Sequence, residues 1–170
     1  MNKRFYLVIF INLFTVWGFY AQTVTIKELI SKTKCRDFSC FNDLITNRGF
    51  SFNASGKHDE TTSWYRFSSD KAFVATSNPG VTSHNQSIVS FGKNTSVGFG
   101  TSYKPHYKAL MDELAALKFK SSPAIDEGEG SIAVVYSSAV YPKITITLRT
   151  ILITKPGLGS WTYYDFQVSG

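Results

Sequence analysis

Two cysteines, three histidines and one acidic run are the residues of this 170-residue chain whose types and spacing could do chemistry. Cys35 and Cys40 stand five positions apart. On one continuous helix that spacing puts the sulfurs too far along and around the axis to meet. A bond between them therefore needs a break between residues 36 and 39, and Asp37 and Ser39 are both good caps for a new helix starting there. A redox motif would read Cys-x-x-Cys, and a metal cage would need a second pair or a nearby histidine. The pair reads as one structural disulfide of an oxidising compartment. His58, His84 and His106 share no helical face and no two-residue strand spacing, so no local metal pair forms. His58-Asp59-Glu60 sits in a polar stretch and reads as a solvated loop, and His106 follows Pro105 near a helix start. The acidic run at 126–130 lacks the alternation of a calcium loop and reads as a hydrated turn.

Other reactive signatures are missing from the sequence. It contains no Gly-x-Ser-x-Gly, no His-Glu-x-x-His and no phosphate-cradling Gly-x-x-x-x-Gly-Lys. Gly157-Leu158-Gly159 falls in a hairpin and not at a strand-to-helix junction. With this much serine, a Ser-His-Asp set can always be assembled on paper and carries no weight. Asn53, Asn85 and Asn94 open glycosylation acceptor patterns at a frequency that a Ser/Thr-rich chain gives by chance. The expectation is no catalytic residue, no metal and no cofactor.

The chain opens Met1-Asn2-Lys3-Arg4 and continues through an apolar run over residues 5–21. A basic head followed by a run shorter than the roughly 20 residues needed to span a bilayer is a secretory leader pattern. Cleavage after Ala21 would make Gln22 the first mature residue, although Phe19 stands where a small residue is preferred; an uncleaved anchor is the competing reading. Eighteen Lys and Arg against twelve Asp and Glu give +6, and loss of Lys3 and Arg4 with the leader leaves +4. The remaining cations are scattered, which suits solubility and not nucleic-acid binding. A secreted or periplasmic location follows, with no membrane span after leader removal. Nothing in the sequence sets the oligomeric state.

Positioning comes from a repeat. Asp43 and Asp112, Phe50 and Phe119, Phe67 and Tyr136, Val97 and Phe166, and Phe99 and Val168 all stand 69 positions apart. A fixed offset marks a duplicated supersecondary unit, against the competing reading that two similar patterns fell into step by chance. Ile26, Leu29 and Ile30 predict a short helix. Phe38, Phe41, Leu44 and Ile45 predict a second over 39–47, stopped by Gly49. Period-two patterns then predict strands through Phe50 and Phe52, Tyr65 and Phe67, Phe73 and Ala75, Val89 and Phe91, and Val97 and Phe99, with a turn at Asn78-Pro79-Gly80. A helix over 106–117 follows, striped by Tyr107, Leu110, Met111, Leu114 and Leu117. Strands over 132–137, 144–154 and 161–168 complete the chain. The expected fold is α+β: two tandem helix-then-antiparallel-strands units (22–102 and 103–170) after a leader (1–21), with the helices packed on one face of a mostly antiparallel sheet. This element order resembles that of the β-lactamase inhibitory proteins, exported tandem repeats of a helical hairpin and an antiparallel sheet with a cysteine pair near the hairpin. The second unit here departs from that pattern in having no cysteines and one clear helix. No motif is shared, so no inhibitory residue is carried over.

Strand alternation then sorts the faces. Phe166 and Val168 belong with the helix-covered side, which leaves Trp161, Tyr163, Asp165 and Gln167 on the other. Arg149 joins them, and Trp64 and Arg66 do so in the first unit. Trp, Tyr and Arg are the residue types enriched at binding hot spots. An exported, non-enzymatic protein-binding module, inhibitor-like or an envelope accessory factor, is the first reading, with Trp64, Arg66, Arg149, Trp161 and Tyr163 as the partner-binding set. The bland reading is that these rings cover each other or lie under a loop. The alternative functions are a small-molecule or lipid binder with its ligand between helices and sheet, and a hydrolase with a non-local site.

Overall fold

The computed structural model describes residues 24–35, 38–46, 50–57, 63–69, 85–91, 96–157 and 159–170. The leader, His58, His84, Gly49, the strand through Phe73 and the Asn78-Pro79-Gly80 turn lie outside these residues. The expected α+β class is observed: helices together with an antiparallel sheet.

Helix α1 (Ile26–Lys32) starts because Thr25 and Glu28 cap each other. The Thr25 hydroxyl accepts from Glu28 N at 3.2 Å, and the Glu28 carboxylate accepts from Thr25 N at 2.9 Å. That leaves the N–H groups of Ile26 and Lys27, which no helical turn can satisfy. Glu113, on a helix far away in sequence, accepts both, at 2.7 and 3.1 Å. Ile26, Leu29 and Ile30 are buried, as their spacing predicts. The chain breaks after Lys32, and α2 (Phe38–Thr46) begins one residue ahead of the expected Ser39. Across the break Cys35 and Cys40 are bonded, with Cα atoms 5.5 Å apart. The Lys32 ammonium donates to the Cys40 carbonyl at 2.6 Å. Among the described side chains of α2, Phe41 and Leu44 are buried in the core.

Strands β1 (Ser51–Lys57), β2 (Ser63–Ser69), β3 (Asn85–Phe91) and β4 (Ser96–Thr101) pair in sequence as the expected antiparallel meander. Helix α3 (Lys104–Ala116) follows, starting two residues before the expected His106, with Pro105 in its first turn. Then come β5 (Lys120–Ser121), β6 (Ile125–Gly128), β7 (Ser131–Ser137), β8 (Thr145–Lys155) and β9 (Gly159–Ser169). Among the described residues the sheet has nine strands in the order β1-β2-β3-β4-β9-β8-β7-β5, with β6 also on β7. The acidic run is more ordered than a hydrated turn: residues 125–128 are strand. The two-residue turn from Gly128 to Ser131 is made by Glu129 and Gly130, both at positive φ (51° and 75°), as the twist of a tight hairpin requires.

The core is one apolar cluster drawn from the helices and the central strands. Val97 and Phe99 of β4 sit opposite Val168 and Phe166 of β9, which in turn sit opposite Ile146 and Leu148 of β8. All six are buried and join Val24, Ile26, Leu29, Phe41, Leu110 and Leu114 in one apolar cluster. Helix α3 closes with Lys118 at φ 60°. The Lys118 N–H donates to Ala115 O and the Phe119 N–H to Leu114 O, both at 3.0 Å. This is the Schellman stop, and Phe119 and Leu114, the two positions flanking it, are both buried in the core cluster. Glycine is the usual residue at the left-handed position, because a Cβ there is strained.

Two outcomes follow. Glu113→Ala strips two first-turn amides of their acceptor and is expected to cost about 1–2 kcal/mol in urea unfolding, with Glu113→Gln losing less. Lys118→Gly relieves the left-handed strain and is expected to raise stability by up to about 1 kcal/mol in the same assay.

Candidate interface on the outer sheet face

Because strand residues alternate, the side of β9 away from Phe166 and Val168 carries Trp161, Tyr163, Asp165 and Gln167. The register sets Arg149 of β8 directly opposite Asp165, Ile151 opposite Tyr163 and Ile153 opposite Trp161. On the other flank Gly98 and Gly100 of β4 sit opposite Gln167 and Asp165. Trp161, Tyr163, Asp165, Gln167 and Arg149 are all half-buried, so the rings are neither in the dry interior nor fully in water.

A hydrogen-bonded polar row crosses this face. Gln167 Nε2 donates to Ser96 Oγ at 2.9 Å, and Arg149 Nη1 donates to Gln167 Oε1 at 3.1 Å. Arg149 Nε donates to the Glu127 carboxylate at 3.1 Å. The row runs from β4 through β9 and β8 to β6. Beside it, burial pushes the Asp165 carboxyl above its ordinary pKa, and the Arg149 guanidinium opposes that rise without cancelling it.

Tyr163 owes its position to a glycine. A Cβ built on Gly100 would collide with the Tyr163 phenol ring, so the ring lies over the bare backbone of β4. A Gly-x-Gly pair inside a strand signals such a close approach; Gly98 and Gly100 offered that signal in the sequence. Trp161 has the Lys155 ammonium 5.8 Å from its ring centroid, within reach of a cation–π contact.

Three of the five residues expected to bind a partner, Arg149, Trp161 and Tyr163, stand on adjacent strands β8 and β9, with Arg149 four rungs from Trp161. Trp64 and Arg66 lie in β2, and their side chains are outside the described residues. Their register rows are nonetheless defined. Arg66 shares a row with Ile88, Gly98 and Gln167, and Trp64 shares one with Ser90, Ser96 and Ser169. Trp64 is thus eight residues along the sheet from Trp161, roughly 26 Å at strand rise, and three strands across. Sequence reasoning put Asp165 and Gln167 on this face without a role and took Glu127 for a solvated turn. Their hydrogen bonds depend on a register that no local pattern reveals.

His106 stands in the first turn of α3, buried, edge-on to the Tyr103 ring at 4.8 Å. Burial lowers its pKa, which keeps the imidazole neutral to lower pH. Among the described residues no cluster of His, Cys, Asp or Glu could hold a metal ion, and no helix is long and apolar enough to cross a membrane. No protein-family model, no curated protein and no solved structure matches the chain.

Asp165 gives a pH test. Its carboxyl binds a proton more tightly in the folded chain than in the unfolded one, so the folded state is penalised while the group is ionised. The penalty disappears as pH falls through the raised pKa. Asp165→Asn is therefore expected to melt higher than wild type at pH 7, with the gap closing as the pH is lowered toward 4, read by thermal unfolding across that range.

Proposed function

We propose that the protein is exported and works without catalysis, as a protein-binding module, inhibitor-like or an envelope accessory factor, whose contact surface is the outer sheet face. The observation that carries this reading is the Ser96–Gln167–Arg149–Glu127 row lying alongside half-buried Trp161 and Tyr163. Arg, Trp and Tyr are the residue types that dominate binding energy. Side chains already held by one another give up little rotamer freedom when a partner arrives. The helix side of the sheet offers no comparable surface at its centre, because Phe41, Phe99, Phe166, Leu110 and Leu114 fill it. That packing also counts against a ligand held between helices and sheet.

Export is supported from two directions. The Cys35–Cys40 bond belongs to an oxidising compartment. The second is the leader pattern itself, a basic head at Lys3 and Arg4 followed by a short apolar run.

We also read the domain as two tandem units, 22–102 and 103–170, with their helices on the side of the sheet away from this surface. The strand order supports it, since β1-β2-β3-β4 is met in reverse by β9-β8-β7-β5. So does the register. Gly98 sits opposite Gln167, and these two positions are themselves 69 apart. The flanking pairs Val97–Val168 and Phe99–Phe166 exchange with each other under the same offset, as a pseudo-twofold axis through the Gly98–Gln167 pair requires. The third strands depart from the offset: 69 positions beyond β3 falls at the β8–β9 turn.

The test is a pull-down from the native envelope fraction with the mature protein, comparing wild type with Trp161→Ser and with the Trp161→Ser, Tyr163→Ser double variant. The expected result is a specific partner held by wild type and lost from both variants, while the melting temperature of Trp161→Ser stays within a few degrees of wild type. A partner retained by the folded double variant would remove this face from consideration.

A further inference from the structure

We propose that the open edge of β9 takes up an extended segment of a partner protein as an added strand, in line with β4. This deepens the contact-face reading above and rests on it. β4 leaves β9 after the Thr101–Tyr164 rung, and among the described residues no other strand takes its place alongside Gly159–Thr162. The register settles which backbone groups face that gap. The Leu152 N–H donates to Gly130 O at 3.0 Å, so the backbone of Leu152 is turned toward β7 and away from β9. Such directions alternate along a strand, and directly opposed residues of an antiparallel pair either face each other or face apart together. Thr162 stands opposite Leu152, and Ser160 opposite Thr154. The N–H and C=O of Ser160 and Thr162 therefore point away from β8 into the gap, at the spacing a further antiparallel strand matches.

The other margins of the described sheet are guarded against such pairing by charge, shortness or irregularity. β1 has a register shift between Phe52 and Ala54 and ends at Lys57. β5 is two residues long; β6 is four, acidic, with a register shift between Asp126 and Gly128. The open side of β8 past Leu152 runs out at Lys155 and Pro156. Ser160-Trp161-Thr162 carries no charge, no proline and no register shift. Trp161 lies within this stretch and Tyr163 follows it, both on the outer face. An added strand would set alternate side chains beside these two rings and the rest beside Ser160 and Thr162. The fitting occupant is an uncharged extended segment in which apolar residues alternate with Ser or Thr. Backbone bonds to the edge give it affinity, and the rings give it specificity.

The probe is a library of short random peptides displayed on phage and panned against the mature protein. Ser160→Pro and Thr162→Pro each remove one donor from the edge, leave the β8–β9 bonds in place, and keep Trp161 and Tyr163. The expected peptides show the alternating pattern and slow the exchange of the Ser160 and Thr162 amides. Their binding, read by fluorescence anisotropy, falls by about tenfold or more in either proline variant, while both variants melt within a few degrees of wild type. Peptides that bind the proline variants as tightly as wild type, or a library that yields none, overturn strand addition and leave the contact face to be decided by the pull-down with Trp161→Ser. Peptides that need the edge but bind Trp161→Ser unchanged uphold strand addition and overturn the role of the rings. Slowing of the same amides at raised concentration of the protein alone makes a second copy the occupant and overturns the partner segment.

Discussion

The ladder between β4 and β9 is the interaction on which the rest of this structure depends. Among the described residues it is the strand pairing that joins the meander of residues 51–101 to the strands of residues 120–169. Its inward residues, Val97, Phe99, Phe166 and Val168, are fully buried and anchor the apolar cluster. Its outward residues include Gly98, Gly100, Asp165 and Gln167, where the polar row and the Tyr163 ring meet. A one-residue slip would send every inward side chain outward, and would also pull Gln167 away from Ser96 and bring a side chain under Tyr163. One register therefore fixes the core and the proposed contact surface together.

The helices are tied to that sheet by unequal means. Helix α3 has an apolar stripe of its own, with Leu110 and Leu114 buried. Helix α1 spans only seven residues, too few to hold together in water on helical hydrogen bonds alone. It is held by its three buried apolar residues, by the reciprocal Thr25–Glu28 cap, and by the Glu113 carboxylate at its start. The disulfide then shortens the excursion from α1 into α2. Small elements with little core of their own are stabilised here by polar and covalent contacts made at their ends.

Much of this was legible in the sequence, and what was not has a common cause. The helices with Leu29 and Leu114, the strands with Val97 and Phe166, and the need for a break between Cys35 and Cys40 all follow from local spacing. The burial of Phe166 and Val168 followed from alternation together with their 69-residue match to Val97 and Phe99. The clamp by Glu113 was not legible, because it joins residues 86 and 87 positions apart and a glutamate on a helix surface carries no mark of its partner. The order within 125–128 was hidden because its acidic composition resembles a loop, whereas pairing with β7 decides the matter. Lys118 at a left-handed position was not legible either, because that stop shows only in the amides of Lys118 and Phe119 turning back to Ala115 and Leu114. For the surface, type and face were readable for Arg149, Trp161 and Tyr163. The distance from Trp64 to Trp161 was not, since it depends on strand order.

The closing hairpin of β8 and β9 is longer than its surroundings. Its rungs continue to Lys155–Gly159, whereas β7 pairs with β8 only as far as Ile151 and β4 pairs with β9 only as far as Tyr164. Beyond those limits the described sheet thins from four strands abreast to a two-stranded ribbon, a form that is marginal by itself in water. Local opening is cheapest where such support runs out. Amide protection should therefore fade along β9 from Phe166 toward Gly159, so that Trp161 rides on the softest part of the ribbon while Arg149 and Gln167 sit on the rigid part.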